Sequence, residues 1–184
     1  GTDAIFADNL MRDNSGEYVV KVGSGSPSIT GNMITNNTSR GAVYANGHAF
    51  VAGNTIVGTK NSESSLGWGL ELAGVLGDIT VQSNNLSSNN AEGITARIYP
   101  SIKLVNNTVA MNGQSGIRVQ PLDSGTTHIY NNIIHGNNVS ETADDYDIEE
   151  TYYGVQFDFY NNIYGTTNVI SWTGEGGNQI VDPD

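Results

Sequence analysis

Apolar and polar positions recur in this chain with a long period, not with the 3.6-residue period of a helix. One template repeats: an apolar residue, two residues, an Asn, one residue, a second apolar residue, two more residues, then Asn or Thr. The clearest copies are Val81-Gln82-Ser83-Asn84-Asn85-Leu86 running to Asn89 and Gly93-Ile94, and Leu104-Val105-Asn106-Asn107-Thr108-Val109 running to Asn112 and Gly116-Ile117. The first Asn recurs at Asn9, Asn32, Asn54, Asn84, Asn107, Asn132 and Asn162, with intervals of 22 to 30 residues. The apolar residue before it is Phe6, Ile29, Val51, Val81, Leu104, Ile129 and Phe159. The second polar position runs Asn14, Asn37, Thr59, Asn89, Asn112, Asn137 and Thr167. A fixed period of this length marks a stacked repeat.

Each repeat therefore predicts one coil of short strands joined by tight turns. Alternate residues of a strand face opposite ways, so Leu104, Val109, Ile117 and Val119 point inward. Stacking places equivalent Asn side chains about 4.8 Å apart, close enough for their amides to hydrogen-bond as a ladder. Asn also tolerates a left-handed backbone, so the ladder Asn is expected at the sharp point of each turn. Parallel strands joined by crossovers wind right-handed. Gly and Asn interrupt almost every helical window. A leucine-rich horseshoe is the nearer rival, but Leu is scarce and each coil has two Asn positions. The expected fold is an all-β, right-handed parallel β-helix of about seven coils with an Asn ladder. It forms a single domain over residues 1–184 that fits a segment of a longer extracellular protein. Two long intervals place loops at Lys60 to Trp68 and at about 140–147, where a rigid solenoid usually carries function. Residues 174–184 read as a terminal turn.

Composition narrows the partners. Hydrophobic residues make up 37% and charged residues 14%, while 23 Gly and 23 Asn fill the difference. Net charge is −12, which argues against nucleic acid and against an anionic membrane surface. No stretch approaches the roughly 20 apolar residues of a membrane span. Cys is absent, which removes disulfides, thiolate metal sites and a Cys nucleophile.

Units such as Asn106-Asn107-Thr108-Val109, Asn112 and Gly116-Ile117-Arg118-Val119 resemble the pectate-lyase-like right-handed β-helix repeat proteins. The resemblance spans about residues 4–165, and Asn178 to Pro183 looks like the closing segment of such arrays. It implies an extracellular or cell-surface setting and a polysaccharide partner. The Arg-x-Pro-x-x-Arg, Asp-Pro-His-Glu and Gly-His-Gly patterns of the related enzymes do not occur, so the resemblance extends to the fold and not to one reaction.

Candidate chemistry concentrates on the strand after the Gly position. There the alternation puts Ala42, Leu70, Ile94 and Ile117 inward. It puts Val20, Val43, Glu71, Thr95 and Arg118 outward, with Val22, Ala45, Ala73, Arg97 and Gln120 two residues further on. Glu71, Thr95, Arg97, Arg118 and Gln120 are thus expected on one exposed face. In lyases of this kind an Arg or Lys near that sheet abstracts a sugar proton while Ca²⁺ neutralises the uronate. The resemblance implies a catalytic role for Arg97 or Arg118. Glu71 joins them as a catalytic candidate, and Thr95 and Gln120 as substrate contacts, because they share the face. Tyr99 and Trp68 are candidates for stacking on sugar rings. The alternative is a solvated ion-pair face with Arg118 beside Glu71 or Glu149. Asp144, Asp145, Asp147 and Glu149 lie in the densest acidic run. Such oxygen ligands suit Ca²⁺, the one cofactor suggested; the competing reading is a solvated acidic loop. Glu71 and Glu149 are three coils apart, roughly 14 Å by strand spacing, too far for the two-carboxyl hydrolases. His48, His128 and His135 are scattered, and the last two point outward.

A solenoid exposes strand edges at both ends, so self-association or flanking domains are expected there. Two function classes follow: a polysaccharide-binding or polysaccharide-processing domain, lyase-like or hydrolase-like if catalytic, and a non-catalytic structural or adhesive segment of a cell-surface, filament or phage protein.

Overall fold

The computed structural model describes all residues except 1–2, 64, 75–76, 99–100, 122–125, 140–145, 152–155, 166–171, 177 and 181–184. The described residues form three parallel sheets wound into one solenoid. Sheet A stacks Ile5–Ala7, Ser28–Thr30, Phe50–Ala52, Ile79–Gln82, Ile102–Val105, Thr126–Tyr130, Gln156–Tyr160 and Trp172–Gly176. Sheet B stacks Leu10–Arg12, Met33–Thr35, Thr55–Val57, Asn85–Ser87, Thr108–Ala110, Ile133–His135, Ile163–Tyr164 and Gln179–Ile180. Sheet C stacks Ser15–Val22, Thr38–Ala45, Trp68–Gly74, Ile94–Ile98, Ile117–Pro121 and Ile148–Glu150. Coils with all three strands number six among the described residues, not seven, because the two last coils show strands only in sheets A and B.

From the second coil to the sixth, each strand in A or B buries its central apolar residue. Ile29, Val51, Val81, Leu104 and Ile129 stack in A; Ile34, Ile56, Leu86, Val109 and Ile134 stack in B. Such side chains would each lose about 1.5–3 kcal/mol if returned to water. The turn between A and B carries the first ladder. Asn9, Asn32, Asn54, Asn84, Asn107, Asn132 and Asn162 each donate from Nδ2 to the next Asn Oδ1, at 2.9–3.3 Å. The backbone N–H of each donates to the same oxygen. From Asn32 onward Nδ2 also reaches an inward carbonyl of the preceding coil, such as Val81 O from Asn107 at 3.0 Å. Buried turn groups that water cannot reach are satisfied in this way. Asn178 forms an eighth rung, so the tail read as a terminal turn continues the ladder.

The left-handed residue of each turn is the one before the ladder residue, contrary to the expectation that the ladder Asn itself takes it. Asp8, Gly31, Gly53, Ser83, Asn106, Asn131 and Asn161 all have φ between +54° and +64°. The ladder Asn needs ordinary φ because its side chain must point inward along the stack. The two positions should therefore respond oppositely to Gly. Asn106→Gly keeps the stability of the parent in urea unfolding, and Asn106→Val loses about 1–2 kcal/mol. Asn107→Gly loses more than either. Equal losses at both positions would contradict this assignment.

The second turn has a ladder of its own. Asn89, Asn112 and Asn137 repeat the amide pattern. Thr59 interrupts it, donating its N–H to Asn89 Oδ1 at 3.1 Å. The ladder ends on Asp147, whose Oδ1 accepts from Asn137 Nδ2 at 2.7 Å and whose Oδ2 accepts from Gly165 N at 2.8 Å. Thr167, expected at that place, lies outside the described residues. Asp147 occupies the register of Gly69, Gly93 and Gly116. A Cβ at Gly116 would stand 2.5 Å from Asn137 Nδ2, so the glycine lets the ladder amide approach.

Candidate functional site

Both insertions enter sheet C at the corner after the second ladder, and its outer face carries Glu71, Arg97, Arg118 and Glu149. Register places Lys21, Tyr44, Glu71, Thr95, Arg118 and Glu149 in one outward row. Ala73, Arg97 and Gln120 form a second, shorter row. Glu71, Thr95, Arg97, Arg118 and Gln120 thus share a face as expected. Val20, Val43, Val22 and Ala45, expected outward, are instead buried core residues. The reason is register: Gly41 resembles the column glycine but pairs with Trp68, one residue short of Gly69. Tyr44 and Lys21 take the outward places.

The face is less open than its alternation implies. Thr95 is 1% exposed and its Oγ1 has no hydrogen-bond partner. Glu71 is buried: its Oε2 accepts from the Tyr18 hydroxyl and its Oε1 lies 3.5 Å from an Arg97 nitrogen. Burial, then the Glu71 carboxylate, raises the Tyr18 phenol above its usual pKa, so it remains a donor. Trp68 is 5% exposed, with the guanidiniums of Arg40 and Arg97 over its ring at 5.2 and 5.6 Å. It therefore supports Arg97 and is not an open stacking platform. Arg97 Nε donates to Gln120 Oε1 at 2.9 Å, yet the Arg97 side chain is 41% exposed.

Arg118 is held differently. Its Nε donates to Glu149 Oε2 at 2.6 Å and another of its nitrogens pairs with Glu92. Ser115 Oγ donates to the same Glu149 oxygen at 2.6 Å. Of the two partners weighed from sequence, Glu149 is the one that meets Arg118. Arg118 is thus a member of an ion cluster with two carboxylates. Glu92, Ser115, Tyr18 and Tyr44 were not singled out by sequence reasoning. Glu92 had a readable signal, since it directly precedes the column residue Gly93.

The acidic run divides. Asp144 and Asp145 lie outside the described residues, as does Tyr99. Asp147 terminates the second ladder with both oxygens engaged, and Glu149 is engaged by Arg118 and Ser115. In the structure these two carboxylates serve the second ladder and the Arg118 cluster. Among the described residues no group of three His, Cys, Asp or Glu side chains converges.

A model of the right-handed beta helix region matches residues 19–182. The chain belongs to the right-handed β-helix family. Most of the first coil of this β-helix lies before the match, yet its strands pair in register with the second. No curated protein and no solved structure matches this β-helix.

Proposed function

We propose that this right-handed β-helix is an extracellular polysaccharide-recognition domain that holds an acidic glycan at the Arg97 face of sheet C without cleaving it. The observation that carries the reading is Arg97 itself. Its guanidinium is fixed by Gln120, Glu71 and Trp68 while much of the side chain faces solvent. A pre-set planar fork suits a uronate carboxylate. Gln120 lies beside it for sugar hydroxyls, and the 460 Å³ groove at the neighbouring corner, lined by Met111, Val139 and Lys60, adds room for a chain. Binding is favoured over cleavage because Arg118 is neutralised on both sides by carboxylates.

In affinity electrophoresis against polygalacturonate and alginate, Arg97→Ala weakens retention about ten-fold, the loss of one charge-assisted contact. Arg97→Lys recovers only part of it, because a point charge cannot replace the fork. Retention equal to that of the parent in Arg97→Ala, with an unchanged circular dichroism spectrum, would sink the proposed site.

A second reading, a structural or adhesive solenoid, draws on the first coil. Ile5 and Leu10 are exposed there, and among the described residues nothing donates to Asn9 Oδ1. A further coil or a second subunit would cover this edge.

A further inference from the structure

We infer that the outer face of sheet A is a second glycan-binding surface, shaped for a neutral polysaccharide lying along the solenoid axis. Two outward rows run side by side there. One holds Lys103, His128 and Asp158 in register; the other holds Tyr130 and Tyr160. His128 Nδ1 lies 2.9 Å from Asp158 Oδ2 and 2.9 Å from the Tyr130 hydroxyl. The Tyr130 hydroxyl also donates to Asp158 Oδ2 at 3.3 Å. The Tyr130 and Tyr160 rings are 5.5 Å apart at 46°, and Tyr160 is 37% exposed.

This arrangement does nothing evident for the fold. The rows stand on the outside of a sheet whose core is filled from the other face by Leu104, Ile129 and Phe159. Side chains held in a hydrogen-bonded network at a surface have already lost much of the freedom that binding would otherwise remove. With Nδ1 engaged, the opposite ring edge of His128, carrying Nε2, is free of the dyad. Burial and the Asp158 charge raise the Tyr130 phenol, so it stays protonated.

The geometry selects the ligand class. Tyrosine rings offer an apolar face with a polar rim, suited to the C–H face of a sugar ring. They advance by about 4.8 Å per coil, close to the span of one sugar unit in a linear glycan. The polar row runs parallel, one pleat away, where ring hydroxyls would fall. A neutral chain is favoured over a polyanion because the Asp158 carboxylate belongs to the face and the whole chain carries −12. The inference stands on sheet A alone and does not use Arg97.

The test is affinity electrophoresis of the full chain in gels containing soluble mixed-linkage β-glucan, galactomannan or xylan, with polygalacturonate in a parallel gel. At least one neutral glycan retards the parent, Tyr160→Ala and Asp158→Asn lower that retention about ten-fold or more, and Arg97→Ala leaves it unchanged. Tyr160→Ala keeps its retention by polygalacturonate. Both sheet A substitutions are at the surface, and a thermal melt close to that of the parent confirms folding. Failure of every neutral glycan to retard the parent would overturn the inference, as would undiminished retention in both sheet A variants. Loss of polygalacturonate retention in Tyr160→Ala would overturn the two-face account. Failure of the Arg97 site would register only in the polygalacturonate gel with Arg97→Ala.

Discussion

Asn132→Leu lowers the free energy of unfolding by roughly 3–5 kcal/mol, the largest effect expected of any ladder substitution. Asn132 is central in the first ladder and 1% exposed. Its Nδ2 donates to Leu104 O, Tyr130 O and Asn162 Oδ1, and its Oδ1 accepts from Asn107 N and Nδ2. Leu is close in volume but supplies none of these partners. Three carbonyl oxygens lose a donor and two N–H groups lose an acceptor, in a buried turn. Each buried group left unpaired costs about 1–3 kcal/mol, and partial relaxation keeps the total below their sum. Urea denaturation measures the change. A loss under 1 kcal/mol would show that the stacked amides contribute little. Asn9 is the internal comparison: it lies at the exposed first coil, so Asn9→Leu has a much smaller effect.

The second large effect is expected at Arg118. Arg118→Ala leaves Glu92 and Glu149 facing each other in a buried setting, with Ser115 still donating to Glu149. Removing one member of a buried ion cluster typically costs about 3–5 kcal/mol. The direction with pH separates this from simple loss of packing. Stranded carboxylates can take up protons, so the deficit is smaller in mildly acidic buffer than in neutral buffer. Arg97→Ala, at a more exposed position, costs about 1 kcal/mol or less. A deficit at Arg118 that is small and independent of pH would mean that the cluster does not depend on its cation.

The coil path was legible because it rests on linked positions that tolerate few residue types. An inward apolar residue three before an inward Asn must be met in every coil, and seven coils show it. The left-handed turn residue was misassigned for the converse reason. Asp8, Gly31, Ser83 and Asn106 all serve there, so no single residue type signals the place. The outward rows of sheet C were read correctly in the later coils and slipped by one in the first two, where Gly41 imitates the column glycine. Burial of Glu71 and Thr95 was not legible at all. Alternation reports which way a side chain points, while cover depends on the reach of long neighbours such as Arg97 and Tyr18 in other coils. Asp147 escaped notice as a ladder residue because it enters from the glycine column and not from the Asn position. Asp158 could have been found, since it stands four residues before Asn162, as His128 does before Asn132 and Lys103 before Asn107.

Retention of the parent chain in native gels cast with a panel of acidic polysaccharides, with and without Ca²⁺, tests the functional account most directly. Parallel solutions are followed for unsaturated products by absorbance and for new reducing ends. The account predicts retardation by at least one polyuronate, unchanged when Ca²⁺ is removed, with neither unsaturated products nor reducing ends. Unretarded migration through every gel, or release of cleavage products from any of them, would contradict it.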